Sequence, residues 1–94
     1  MPHKSPQVIE GELEMAKIQV KIGGIYSHYK NPEHLVKVMD IGIQEATDRL
    51  CVIYRDVKNE RFVFVRDLDV WLEEPLKGTP RFKLVADGPA RKGD

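Results

Sequence analysis

The sequence predicts a mostly β domain: a small, strongly bent barrel with one short helical or 3₁₀ turn before its last strand. Three observations carry this. Residues 50–55 and 61–66 are apolar at alternate and adjacent positions around a polar loop, the pattern of a hairpin buried on both faces. Within residues 35–43 the apolar parity changes, which signals a bulge, a device that bends strands. Residues 67–74 offer one amphipathic turn, stopped by Pro75.

Taken in order, residues 1–7 are polar with two prolines and are expected to be disordered. Residues 8–22 form an extension with two competing patterns. Ile9, Leu13, Ala16 and Val20 fit a helical stripe, while Ile18, Val20 and Ile22 alternate with Lys17, Gln19 and Lys21 as in a strand. The alternation is the cleaner signal and predicts a strand over 17–22, broken by Gly23-Gly24. One domain follows over residues 23–85. In residues 35–43, Val36 and Val38 share one parity and Ile41 and Ile43 the other, placing the bulge near Asp40. The polar run 44–49 is a turn.

In the hairpin, pairing Arg55 with Arg61 sets Tyr54 against Phe62 and Val52 against Phe64 on one side. Ile53 then meets Val63 and Cys51 meets Val65 on the other, and such pairs stabilise a ladder. Both faces must be covered, by barrel closure, by the N-terminal segment or by another subunit. Leu68, Trp71 and Leu72 lie at helical spacing, and Glu73 and Glu74 at the unfavourable end of the dipole keep that turn short. A last strand over 81–85 directs Phe82 and Leu84 inward and Arg81 and Lys83 outward, and residues 86–94 form a disordered tail. These pieces together indicate a barrel of the SH3-like kind, with an open sheet and one packed helix as the alternative.

Composition narrows the function. Lys+Arg and Asp+Glu number 15 each, so the chain lacks the basic excess of a nonspecific nucleic-acid binder. The single Cys51 excludes an intramolecular disulfide and fits a reducing compartment. No segment has the apolar length of a membrane span or the layout of a signal peptide, so a cytoplasmic location without membrane contact is expected.

Several pieces match a known pattern: Gly24-x-Tyr26-x-His28-Tyr29-Lys30, Val52-x-Tyr54-Arg55, a strand ending Val65-Arg66, Leu68-x-x-Trp71-x-Glu73 and Pro80-Arg81-Phe82-x-Leu84. In order and spacing the chain resembles, over residues 23–85, a bacterial family known only as domain of unknown function 1653. The resemblance implies a compact, mostly β domain of bacterial cytoplasm and brings no activity, substrate or cofactor. Two departures fall in the turn: Asp67 stands where the family usually has Pro, and Val70-Trp71 where it usually has Met-Phe.

The richest surface chemistry lies between Gly23-Gly24 and Asn31-Pro32, where Tyr26, His28, Tyr29 and Lys30 crowd together. Read structurally, a tyrosine fills the barrel, its hydroxyl finds a backbone partner and His28 bonds locally. Read functionally, these residues with Tyr54, Arg66 and Trp71 make a stacking and cationic edge for bases, peptide aromatics or methylated ammonium groups. Arg49, Arg55, Arg61 and Arg66 otherwise form a rim neutralised by Asp48, Asp56 and Glu60.

No metal site is expected of His28, Glu33 and His34, which are irregularly spaced across Asn31-Pro32. No catalytic motif is present, and Cys51 sits among apolar neighbours where a thiol is inert. The expectation is a non-catalytic binding module without a cofactor, whose partner is single-stranded nucleic acid or a protein segment. A homodimer joined through the doubly apolar hairpin is the first alternative, and a small enzyme or metal-binding domain the second.

Overall fold

The computed structural model describes residues 3–87. Helix α1 (Pro6–Gln19) is followed by β1 (Ile25–His28), β2 (Leu35–Gln44), β3 (Arg49–Asp56), β4 (Val63–Asp67), α2 (Leu68–Trp71) and β5 (Phe82–Ala86). The strands make one five-stranded antiparallel sheet in the order β4-β3-β2-β1-β5. β4 and β5 are its two ends, so the ladder does not close into a barrel.

The strand expected over 17–22 is instead the end of α1 and its exit. Ser5 caps the helix by accepting from the Val8 amide at 3.3 Å, and Pro6 occupies the first turn, where its missing N–H costs nothing. Packing decides between the two patterns: Ala16, which only the helical stripe contains, is fully buried, whereas Ile18, which only the strand pattern contains, is 78% exposed. The stripe that mattered was therefore the helical one. At its start, His3 Nδ1 and the Lys4 amide both bond Asp48 Oδ2, at 2.8 and 2.9 Å, tying α1 to the β2–β3 turn. Of the terminal segments expected to be disordered, residues 1–2 and 88–94 lie outside the described residues. Pro6 and Gln7 belong to α1, and Ala86 to β5.

The bulge falls where parity placed it, as a register shift between Val38 and Asp40. The hairpin keeps its faces but not its register. Tyr54 pairs with Phe64 and Ile53 with Val65, two residues from the expected pairing. The loop sets the difference: Asp56 Oδ1 accepts from the Lys58 and Asn59 amides, and the Asp56 amide bonds the Phe62 carbonyl, so the turn consumes residues 57–61. An even slip preserves which side chains share a face, so hydrophobic pattern alone does not detect it.

Tyr26, Val36, Val38, Ile41, Leu50, Val52, Tyr54, Trp71 and Phe82 form the core on one face of the sheet, with Ala16 from α1 and Val20, the extended residue that follows it. Trp71 and Phe82 stack with centroids 3.9 Å apart and planes 7° apart, joining α2 to β5. Leu84, expected inside, is 41% exposed, although it pairs with the buried Tyr26. The opposite face, carrying Ile53, Val63 and Val65, has no covering element among the described residues. No helix among them is long and apolar enough to cross a membrane.

Candidate functional site

Where the curled sheet brings its ends together, β1, β2, β3, β4 and β5 line a hollow of about 240 Å³. Its walls are the rings of Tyr54, Phe64 and Phe82, with His28, His34 and Arg66 at its polar side. The size decides what it can hold: drug-sized ligands occupy ~300–1,000 Å³, so this hollow suits one ring or one side chain. The rings stand at angles to one another, Tyr54 against Phe64 at 5.5 Å and against Phe82 at 5.7 Å. The Arg66 guanidinium sits 5.6 Å from the Phe82 centroid, across the gap between the two ends of the sheet.

Local bonding fixes His28. Its Nδ1 accepts from the Lys30 amide at 3.1 Å, so the neutral ring carries its proton on Nε2, which makes no hydrogen bond among the described residues. Burial, followed by the charges of Arg66, Arg81, His34 and Lys30, holds its pKa below the usual histidine value. Of these neighbours, Arg66 and Lys30 make the mouth attractive to an anion. Arg49, Arg55 and Arg81 each reach a carboxylate, at 3.5, 2.9 and 2.8 Å, whereas Arg66 has none within salt-bridge range among the described residues. His34 is held by Asp56 at 2.9 Å.

The seven residues singled out in the sequence divide into three groups. His28, Tyr54 and Arg66 meet in the hollow. Tyr26 and Trp71 are structural: the Tyr26 hydroxyl accepts from the Lys21 amide at 2.8 Å, its ring meets Trp71 edge-on, and Trp71 is only 3% exposed. Trp71 therefore offers no stacking surface and instead backs Phe82. Tyr29 and Lys30 lie beside the hollow, with the Tyr29 ring between Lys30 and Arg81, each 6.0 Å from its centroid. Phe64, Phe82 and His34 were not singled out. The shared face of Tyr54 and Phe64 was readable from parity, but the approach of β5 to that face was not.

A second cleft of about 210 Å³ lies between α1 and the start of α2, lined by Lys4, Glu12, Met15, Arg49 and Asp67 among others. Lys4 is matched with Glu12 at 2.9 Å and Arg49 with Asp67 at 3.5 Å, which leaves Asp69 as its unpaired charge among the described residues and offers nothing to an anion. Cys51 is buried, its thiol donates weakly to Asp67 at 3.7 Å, and burial followed by the Asp67 carboxylate pushes its pKa up, which leaves it a poor nucleophile. No group of three or more metal-ligating side chains occurs among the described residues.

Fold and site together define a small, mostly β domain: an open antiparallel sheet with a short helix before the last strand and an aromatic hollow between its ends. Residues 24–84 match the family described as "Protein of unknown function (DUF1653)", and the chain belongs to that family. Helix α1 precedes the matched region. No curated protein and no solved structure matches the chain.

Proposed function

We propose that the domain is a non-catalytic binding module that seats one planar, negatively charged group, a nucleotide of a single strand, in the hollow. The observation that carries this is a recess walled by three aromatic rings beside Arg66, whose charge has no carboxylate partner among the described residues. A base stacks on such rings whatever its identity, and each stacked base contributes about 1–3 kcal/mol. Arg66 and the free Nε2–H of His28 would face the phosphate.

The net charge of zero sets the expected strength. Without a phosphate track, contact is limited to one or two phosphates, so affinity should fall with salt at a log–log slope of about −1. The finer reading of the fold as an SH3-like barrel is supported by the β2 bulge, the short α2 and the approach of Arg66 to Phe82. A bacterial, cytoplasmic setting belongs to the same proposal: the free Cys51 supports a reducing compartment, and the bacterial origin rests on the family resemblance.

Fluorescence anisotropy of short labelled single-stranded RNA and DNA at low salt tests the reading. Binding that Arg66→Gln and Phe64→Ala each weaken about tenfold, while Lys77→Gln leaves it unchanged, would support it. No binding at 1 mM protein, or binding indifferent to both substitutions, would contradict it and turn the search to peptide ligands.

A further inference from the structure

The end strand β4 is unusually bare. Phe62, Val63, Phe64 and Val65 are consecutive, apolar, and 55, 53, 38 and 65% exposed. Natural sheets protect such an edge with a lysine, a proline, a bulge or a covering element. β4 carries no Lys, Pro or bulge, and no described element covers it. Its free hydrogen-bonding groups can be assigned from the ladder. The Asp56 amide bonds the Phe62 carbonyl, and Phe64 and Arg66 pair with Tyr54 and Val52 in the same phase. The C=O group of Phe62 and both backbone groups of Phe64 and Arg66 therefore point to β3, while the Phe62 N–H bonds the Asn59 carbonyl in the turn. The N–H and C=O groups of Val63 and Val65 point outward, with no backbone partner among the described residues.

We infer that β4 pairs antiparallel with β4 of a second copy, across a two-fold axis at Phe64, to make one continuous ten-stranded sheet. Only outward-pointing residues can exchange ladder bonds, so Val63 must pair with the partner subunit's Val65 and the reverse. In that register Phe64 faces its own copy as the close, non-hydrogen-bonded pair. Phe62 faces the partner subunit's Arg66, a cation over a ring. Arg61, which has no carboxylate in salt-bridge range among the described residues, faces the partner subunit's Asp67. Moving the register two residues either way sets Val63 against Asp67 or Val65 against Arg61. Charge complementarity therefore selects both the occupant and the register, because the same strand supplies both halves of each pair. The perpendicular two-fold also puts both hollows on one face, and Phe62 of the partner subunit joins the wall beside Arg66. This inference does not depend on the ligand proposed above.

Two five-residue strands form a contact smaller than a standard ~1,600 Å² interface, so association in the micromolar range is expected. Sedimentation equilibrium of the full chain should yield twice 10.8 kDa near 100 µM and the single mass at high dilution. Val65→Pro removes an outward N–H and Val65→Lys adds a charge at an exposed position, and each should weaken the dimer at least about tenfold with an unchanged circular dichroism spectrum. Ile53→Thr, on the uncovered face but inside the ladder, should leave it intact. Phe64→Cys tests the register, since non-hydrogen-bonded antiparallel pairs have Cα atoms about 4.5 Å apart, within disulfide reach. On mild oxidation it should give a covalent dimer, and Val63→Cys should not. A chain monomeric at several hundred micromolar would overturn the inference. So would a dimer insensitive to both Val65 substitutions, or one abolished by Ile53→Thr, which would mean packing by faces.

Discussion

The two end strands of the sheet are both short and both carry exposed apolar residues, yet they are treated differently. β5 is fastened. Phe82 stacks on Trp71, Arg81 bonds the Val70 carbonyl at 3.1 Å and Glu73 at 2.8 Å, and the Tyr29 amide bonds the Arg81 carbonyl at 2.9 Å. A register shift at Ile25/Tyr26 and the charge of Lys83 then blunt its outer side. β4 is tied only to β3 and to the following α2, and it begins with three uncharged apolar residues, Val63 to Val65, preceded by Phe62. An edge kept bare while its opposite is protected is the one available for contacts. The hollow opens beside that bare strand, on Phe64 and Arg66.

The most drastic way to break this contrast is to unfasten β5. Trp71→Ala empties the space behind Phe82 and should cost about 3–5 kcal/mol, read as a lower urea midpoint. It should also weaken ligand binding, since Phe82 loses its support. A milder lift comes from Gly24→Ala. A Cβ there would lie 2.8 Å from Leu84 Cδ1 in β5 and 3.1 Å from the Lys21 carbonyl, so backbone as well as side chain must move. About 1–3 kcal/mol of stability should be lost in the same unfolding experiment.

Exchanging the character of the edges sharpens the comparison without touching the core. Lys83→Val makes β5 a second bare edge. Its monomer stability should change by less than about 0.5 kcal/mol, while light scattering should report species larger than a dimer. If assembly stops at the dimer, the charge on β5 is not what protects that edge.

The smallest effect is that of pH. His28 titrates below its unfolded value because burial, and then the nearby Arg66 and Arg81, disfavour its charge. The unfolded chain therefore binds the proton first, and stability should fall as pH drops through about 6.5. Protonation would also cost Nδ1 its bond from the Lys30 amide. His28→Gln should flatten that part of the urea midpoint profile between pH 7.5 and 5.5. An anionic ligand in the hollow should raise the His28 midpoint measured by NMR.

Most of this arrangement was legible in the chain. The hairpin faces and the bulge near Asp40 follow from parity, the turn before the last strand from helical spacing, and a last strand over 81–85, one residue from the observed Phe82–Ala86, from alternation, because all of these are local information. The N-terminal extension was misread because Ile18-x-Val20-x-Ile22 imitates a strand. The decisive signals were Ser5-Pro6 at a helix start and the burial of Ala16, and burial is a tertiary fact. The hollow was half legible. His28, Tyr54 and Arg66 stood out by their chemistry, whereas Phe64 and Phe82 read as ordinary core until curvature brought β4 and β5 to one opening. Trp71 was mistaken for surface for the converse reason, since nothing local distinguishes an indole behind the wall from one in it.

The central claim is that contacts gather at the β4 end, and a ¹H–¹⁵N correlation spectrum titrated with a short single-stranded oligonucleotide at low salt tests it most directly. Shifts confined to His28, Tyr54, Phe64 and Arg66, reversed by salt, with Lys83 to Ala86 unmoved, are the expected result. Shifts along β5 or in the α1 cleft with the hollow silent would contradict it.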